Sequence, residues 1–166
     1  QHVGECRNAS DASWKIIPGL GRSLSGIALF PYTASVENAW LKYQMNLNTQ
    51  SDSVDVYLTV AAVMPFLKGG HQVALSLDGG EEVVVHLNQN LNWEHKYDLM
   101  YPTAAARVIQ KKVRLRLDKK NKGEMHSLQL RPLQPGIVFE KIEVDCGGGY
   151  VPSRLGMPET SYRLEK

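Results

Sequence analysis

The stretch VDVYLTV, Val54–Val60, alternates apolar and polar side chains from end to end. A period of two is typical of a β-strand that buries one face. We predict that the apolar residues Val54, Val56, Leu58 and Val60 face a core and that Asp55, Tyr57 and Thr59 face outward.

The same alternation recurs on both sides of this strand, in WLKYQMNL (40–47), QVALSLD (72–78), EEVVVHL (81–87), KKVRLRL (111–117), HSLQLRPL (126–133) and IVFEKIEVD (137–145). Turn residues separate these segments, in KGGH (68–71), DGG (78–80), KKNKGE (119–124) and QPG (134–136). With Val3–Cys6 and GIALF (26–30), the count is eight or nine strands. The pattern predicts an all-β protein, an antiparallel jelly-roll sandwich. We expect at most one or two helical turns, in NWEHKYDLM (92–100) or TAAARVIQ (103–110).

Length and charge exclude several classes of protein. The 166 residues suit one domain, residues 1–166, with a core of ordinary size. The formal charge of +2 and the lack of a basic helical face argue against a nucleic-acid partner. No apolar stretch approaches the roughly 20 residues that cross a bilayer, so we expect no membrane partner.

Known catalytic and cofactor motifs are missing from the sequence. The Gly-x-Gly in SWKIIPGLGRS, Ser13–Ser23, lacks the residues that a nucleotide loop needs. No serine nucleophile elbow or H-E-x-x-H occurs. The five histidines have no metal-ligand spacing, and we expect them on the surface or on strand faces. We therefore predict no enzyme activity for this chain by itself and no cofactor.

The two cysteines lie near opposite ends of the sequence, at Cys6 and Cys146. A sandwich commonly brings its first and last strands together, which would allow a disulfide. Two unlinked thiols are the alternative. Asn8-Ala9-Ser10 is a glycosylation sequon. We expect a protein that is secreted, periplasmic or exposed at a cell surface.

Several aromatic residues occur where a core does not need them. Trp40 is on the polar side of its strand, Trp93 lies in the polar run NQNLNWEHK, and Tyr32 follows a proline. Sugar rings stack on such side chains, so all three are candidates for carbohydrate binding. Arg22 is a candidate partner for a uronic acid carboxylate, because its planar guanidinium can hold a carboxylate through two hydrogen bonds. Lys112, Arg114 and Arg116 add a basic strand face that could attract an acidic polysaccharide.

Long segments of the chain resemble the C-terminal domain of glycoside hydrolase family 115, the xylan α-1,2-glucuronidases. The family has a tryptophan before I-P-G-L-G-R-[ST], and this chain has SWKIIPGLGRSLSGIALFPYTA (13–34). The family ends with P-G-V-V, K-I-V-x-D-T-G-G and S-Y-L-G-P-P-E-S, and this chain ends with PGIVFEKIEVDCGGGYVPSRLGMPETSY (135–162). The resemblance implies that residues 13–23 form a signature loop of a module similar to carbohydrate-binding modules. It also implies that the catalytic domains lie upstream in the family.

The chain departs from the family pattern at a few positions. Val3 replaces an acidic residue of the opening I-E-A-E-H pattern, so a calcium site that uses Glu5 and Asp145 is only an alternative to the expectation of no metal. Cys6 and Cys146 both replace other residues, which favours a bridge between them. Arg154 replaces a tyrosine.

Two functions from different classes follow from these residues. The first is a sugar-binding module for acidic xylan or a related plant glycan, with a polysaccharide or oligosaccharide as its partner. The second is a structural domain that packs on an upstream catalytic domain or on a second copy and binds no sugar.

Overall fold

The computed structural model describes residues 3–20, 25–47, 49–117 and 125–147. Ten strands form in this part of the chain: β1 Glu5–Arg7, β2 Ser13–Pro18, β3 Ser25–Phe30, β4 Trp40–Asn46, β5 Ser53–Ala61, β6 Gln72–Leu77, β7 Val83–His86, β8 Val108–Arg116, β9 Met125–Pro132 and β10 Val138–Asp145.

The strands make two antiparallel sheets of five. The first sheet has the order β1-β4-β9-β6-β7, and the second has β2-β3-β10-β5-β8. The predicted all-β sandwich is confirmed. The additional strand is β2, which occupies the first half of the segment that we interpreted as a signature loop. Ser13–Pro18 pairs along its whole length with β3.

The core lies between the two sheets and is built from the predicted alternating residues. Val54, Val56, Leu58 and Val60 of β5 are all at most 2% exposed. Their neighbours Asp55, Tyr57 and Thr59 are also buried, contrary to our prediction for them. The reason is that β5 is an inner strand, flanked by β8 and β10, and long side chains from both cover its outer face.

Ion pairs on this outer face involve Asp55. Arg114 donates two hydrogen bonds to its carboxylate, at 2.7 and 3.0 Å, and the Lys112 ammonium lies 2.8 Å away. The hydrogen bonds from Arg114, which have the largest effect, and from Lys112 hold the pKa of Asp55 well below its usual range. Two of the three cations of the predicted basic face, Lys112 and Arg114, are therefore paired with one carboxylate.

Replacing Asp55 with Asn should lower the melting temperature near pH 7 and flatten its fall on acidification. A carboxylate whose pKa is lowered by folding contributes stability above its unfolded pKa of about 3.9, and this stability is lost as pH falls below that value. Thermal denaturation of D55N between about pH 7 and pH 3 measures the effect. D11N, at an exposed aspartate, is the control. A D55N curve parallel to that of the wild type would contradict the prediction.

A helical segment connects β7 to β8. It consists of a 3₁₀ turn Trp93–His95, a π-helical turn Lys96–Met100 and an α-helix, α1, Tyr101–Ala106. We call this continuous run the helical segment, and it is longer than the one or two turns that we predicted. The Asn92 side chain caps its start by accepting from the backbone N–H groups of Glu94 and His95. None of the described helices is long and apolar enough to span a membrane.

Three expectations about individual residues need correction. Cys6 and Cys146 are free thiols in the structure. The terminal strands are not neighbours, because β1 pairs with β4 in the first sheet whereas β10 lies between β3 and β5 in the second. Burial raises the pKa of the Cys146 thiol. His71 precedes β6 and is buried at 0% exposure, neither on the surface nor on a strand face, whereas His126 lies on a strand face of β9 as expected, at 1% exposure.

Candidate functional site

Five described connections meet at one end of the sandwich, and we call it the loop end. Arg7 at the end of β1 pairs with Trp40 at the start of β4, and His86 at the end of β7 pairs with Gln72 at the start of β6. In the second sheet, Ala61 at the end of β5 pairs with Val108 at the start of β8. These six strands therefore begin or end at the same end of the sandwich. The connections are residues 8–12, 31–39, 62–71, 87–107 and 133–137.

A cleft of about 450 Å³ opens at the loop end, beside the outer face of the second sheet. Its volume is within the usual range of small-molecule sites, roughly 300–1,000 Å³. Strands β5, β8 and β10 supply the floor, the helical segment supplies one wall, and residues 86–91 supply the rim. We call this space the cleft.

The floor of the cleft is a chain of linked polar side chains. The Lys141 ammonium lies 2.7 Å from a Glu143 carboxylate oxygen, with only 13% and 8% of these side chains exposed. The Gln110 amide donates to the Thr59 hydroxyl at 3.1 Å and approaches the other Glu143 oxygen at 3.4 Å. Desolvating such charges is costly. Their placement beneath an open cleft is therefore typical of a surface that binds a polar ligand.

A β-bulge aims these floor residues into the cleft. Phe139 pairs with Val60 and Lys141 pairs with the next residue of β5, Thr59, so Glu140 is an extra residue in the ladder. Without a bulge, Phe139 and Lys141 would point to the same face. The extra residue turns Lys141 and Glu143 outward and leaves Ile142 and Val144 against the core.

The wall and rim add further donors and acceptors. Asp98 and Thr103 reach the cleft from the helical segment, next to Leu99 and Pro102. The rim contributes two exposed amides, Gln89 and Asn90, and Lys111 of β8 also borders the cleft. The lining thus holds two lysines against two carboxylates, together with uncharged amides and hydroxyls.

The opposite face of the helical segment carries Trp93, Tyr97 and Tyr101, which we call the aromatic patch. Trp93 is 66% exposed and Tyr97 is 70% exposed. The Lys96 ammonium lies 4.9 Å from the centres of both rings. Tyr97 and Tyr101 meet edge to face, with an angle of 81° between their planes. The patch is therefore an angular surface rather than a flat platform.

The predicted aromatic residues all lie at the loop end, but they have separate surroundings. Trp40 begins β4, and Lys42 covers its ring at 4.9 Å. Tyr32 packs on Phe30, with 4.2 Å between the ring centres. Trp93 is the most exposed of the three candidates. Arg22 lies outside the described residues, as does Arg154.

The structure does not bring together the carboxylates of the alternative calcium site. Glu5 belongs to β1 and pairs with Lys42 at 3.3 Å, whereas Asp145 ends β10 in the other sheet and accepts from the Gly147 N–H. Within the described ranges, no group of three or more His, Cys, Asp or Glu side chains is placed to hold a metal.

Sequence reasoning missed most of the cleft. The bulge has a signal in the sequence, because the alternation of apolar residues in IVFEKIEVD shifts by one position between Phe139 and Ile142. The aromatic patch also has a signal, since Trp93, Tyr97 and Tyr101 recur at the spacing of one helical face. The amides of the rim have no distinguishing pattern.

In the comparison with protein families, the model of the glycosyl hydrolase family 115 C-terminal domain matches residues 1–159. No curated protein matches the chain by sequence.

Comparison with solved structures gives similar folds. A family GH115 4-O-methyl-alpha-glucuronidase with specificity for decorated arabinogalactans aligns with a TM-score of 0.61 and 18% identity. The alignment covers 87% of this chain but only 18% of that enzyme. A family 35 carbohydrate-binding module from Clostridium thermocellum aligns at a TM-score of 0.54 and 10% identity, covering 84% of this chain and 91% of that one. The C-terminal CBM6 of a Zobellia galactanivorans laminarinase aligns at a TM-score of 0.52 and 12% identity, and the alignment covers 86% of this chain and 92% of that one. At these identities the likeness concerns the fold.

Proposed function

Because the chain belongs to the glycosyl hydrolase family 115 C-terminal domain family, we propose that it is a non-catalytic carbohydrate-binding domain whose ligand occupies the cleft. One observation carries this proposal: a nearly buried Lys141–Glu143 pair, linked to Gln110 and Thr59, forms the floor of an open cleft on a module of this fold. The folds of carbohydrate-binding modules from two families support it.

The chemistry of the floor matches that of sugar hydroxyls. Each hydroxyl both donates and accepts, so it pairs well with a surface that alternates the two roles. The Lys141 ammonium has three N–H donors, the Glu143 carboxylate is an acceptor, and Gln110 offers both functions. Leu99 and Pro102 in the wall provide apolar contact for the C–H faces of a sugar ring.

We propose a plant glycan as the ligand, with acidic xylan as the first candidate. Lys141 could hold a uronate, while Asp98 and Glu143 keep the cleft from being uniformly cationic. The aromatic patch, on the other face of the wall, would contact a longer chain that leaves the cleft. A secreted or surface location suits such a ligand.

Calorimetric titration of glucuronoxylan oligosaccharides and neutral arabinogalactan oligosaccharides tests the proposal. We expect K141M and E143Q each to raise Kd about tenfold or more, because a hydrogen bond to a charged group contributes about 1.5–3 kcal/mol. W93A should weaken long oligosaccharides more than short ones. K15M, at an exposed lysine on β2 away from the cleft, is the matched control and should bind normally.

Absence of binding by the wild type to both glycans would reject the proposal. Equal affinities of K141M, E143Q and the wild type would place the ligand outside the cleft. A second candidate function, packing on another domain, has its own observation: the 62–71 connection exposes Met64, Phe66 and Leu67 beside the cleft. Such apolar clusters are typical of contact surfaces.

A further inference from the structure

Lys96 places its ammonium beside two exposed aromatic rings of the helical segment. The nitrogen lies 4.9 Å from the centre of the Trp93 ring and 4.9 Å from that of Tyr97. Such contacts are attractive because the face of an aromatic ring is electron-rich, although each contributes little near the surface of a protein. The lysine is half-buried, whereas Trp93 is 66% exposed and Tyr97 is 70% exposed. The cation is therefore held beside two rings whose surfaces are mostly in contact with solvent.

This ammonium differs from two others in the protein because it has no carboxylate beside it. Of the other lysines that lie over an aromatic ring, two are each paired with a carboxylate, at 3.3 and 2.8 Å: Lys42 with Glu5, and Lys112 with Asp55. Among the described residues, no carboxylate forms an ion pair with Lys96. The aromatic patch thus contains a cation whose charge is not balanced by a neighbouring side chain.

The carboxylates of the helical segment itself are used elsewhere. Asp98 lines the cleft, on the other face of the wall. Glu94 lies in the first turn, where the unpaired backbone N–H groups of a helix start favour a negative charge. These two residues are four apart and share a side of the segment, next to the side of Trp93 and Tyr97. Lys96 therefore remains available to a carboxylate that a ligand brings.

A uronic acid unit of a glycan carries both groups that fit this arrangement. Its pyranose ring has apolar C–H faces, which stack on exposed indole and phenol rings. Its carboxylate projects from the edge of that ring, where it meets a cation beside the aromatic surface. The four-carbon stem of lysine is flexible, so the Lys96 ammonium can turn from the two rings toward this carboxylate.

We propose that Trp93, Lys96 and Tyr97 form a uronate-binding subsite separate from the cleft: the uronic acid ring stacks on the aromatic patch and its carboxylate pairs with Lys96. This inference rests on the proposed function, since it takes the ligand to be a glycan. The patch and the cleft lie on two faces of one wall, so an acidic chain that leaves the cleft reaches the subsite with a uronate further along.

Binding of a single sugar at this subsite should be weak but should depend on charge. An ion pair that is partly exposed to solvent contributes modestly, so we expect a glucuronide to bind about threefold to fivefold more tightly than the matching glucoside at low ionic strength. Salt screens exposed charges. The preference for the glucuronide should therefore shrink as salt is added, whereas binding of the glucoside should not change.

NMR titration with methyl β-D-glucuronide and methyl β-D-glucoside tests the subsite. The indole N–H signals of the three tryptophans report on separate places. Trp93 reports on the patch, whereas the Trp14 indole donates to the Arg7 carbonyl at 2.8 Å and is the internal control. We expect the Trp93 signal to move with both sugars and to reach half-saturation at an about threefold to fivefold lower concentration of the glucuronide. The side-chain amide of Gln110 reports on the cleft in the same spectra.

Substitutions separate the charge from the stacking. K96M should remove the preference for the glucuronide and leave the affinity for the glucoside unchanged, and K96R should restore the preference. W93A, followed through the ring signals of Tyr97, should weaken binding of both sugars. K15M is the matched control, because it removes an exposed lysine that lies 5.6 Å from the centre of the Phe30 ring, and it should keep the preference.

Several results would overturn the inference. Equal affinities of the two sugars at Trp93 in the wild type, or a preference that survives in K96M, would exclude a role for Lys96. Loss of the Trp93 response in K141M would show that the patch is not a separate subsite. If the sugars move the Gln110 amide but not the Trp93 indole, the inference fails while the cleft remains the glycan site. If glucuronoxylan oligosaccharides move neither signal, the proposed function fails with it.

Discussion

Deleting Ile142 should unfold the domain, whereas deleting Glu140, two residues earlier on the same strand, should leave both sheets paired. Removal of Ile142 would turn Glu143 toward the core and Val144 toward the solvent, because one residue reverses every later side chain of a strand. Glu140 is the extra residue of the bulge, so its removal restores a regular ladder in which Phe139 still faces inward and Lys141 outward.

Circular dichroism and thermal denaturation of the two deletion variants check this prediction. The Glu140 deletion should melt cooperatively within several degrees of the wild type, and the Ile142 deletion should show no native transition. It should also express poorly, because a buried unpaired carboxylate costs several kcal/mol. Equal stability of the two variants would contradict the assignment of the bulge.

Replacing Gly70 with Ala should destabilise the domain far more than replacing its neighbour Gly69. Both glycines have a positive φ, +71° and +87°, so both substitutions place a side chain in a strained backbone, at about 1–2 kcal/mol. A Cβ on Gly69 meets nothing within 4 Å. A Cβ on Gly70 would lie 2.7 Å from Gln89 Cα and 2.8 Å from Asn88 Oδ1.

The difference between the two variants therefore isolates the close approach of two backbones. G69A should lower the melting temperature by about 2–8 °C, from the strain alone. G70A should lower it further, because the rim must move to admit the methyl group. A G70A variant as stable as G69A would show that the rim does not pack on Gly70.

The sequence was sufficient to predict the class of fold, because the apolar alternation of β4, β5, β6, β9 and β10 records which face of each strand is buried. It was not sufficient for β2, where Ile16 is 54% exposed and Pro18 and Gly19 resemble a loop. Pairing with β3 supplies the hydrogen bonds that make this segment a strand. Such pairing joins distant backbone atoms, and local composition does not specify it.

Polar residues of the candidate site were harder to predict than apolar residues of the core. Asp55 and Thr59 looked like solvent-facing residues, but the long side chains of Lys112, Arg114 and Gln110 cover them. Burial of this kind depends on which strands become neighbours. The exposure of Trp93 was predicted from its polar setting, whereas the outward orientation of Lys141 and Glu143 depends on a bulge that appears in the sequence only as a shift of the apolar positions.

Strand β8 has a consequence for how copies of the protein behave when crowded. It is nine residues long, and among the described strands it pairs only with β5, so its other side offers a row of unpaired backbone groups. Such an edge is a template for sheet growth from one molecule to the next. Lys111 lies on the inward side of β8, between Ile109 and Val113. Lys112 and Arg114 lie on its outward side, so both faces of the strand carry cations. A second β8 laid against the first would bring lysine close to lysine, and this repulsion opposes the start of a fibril.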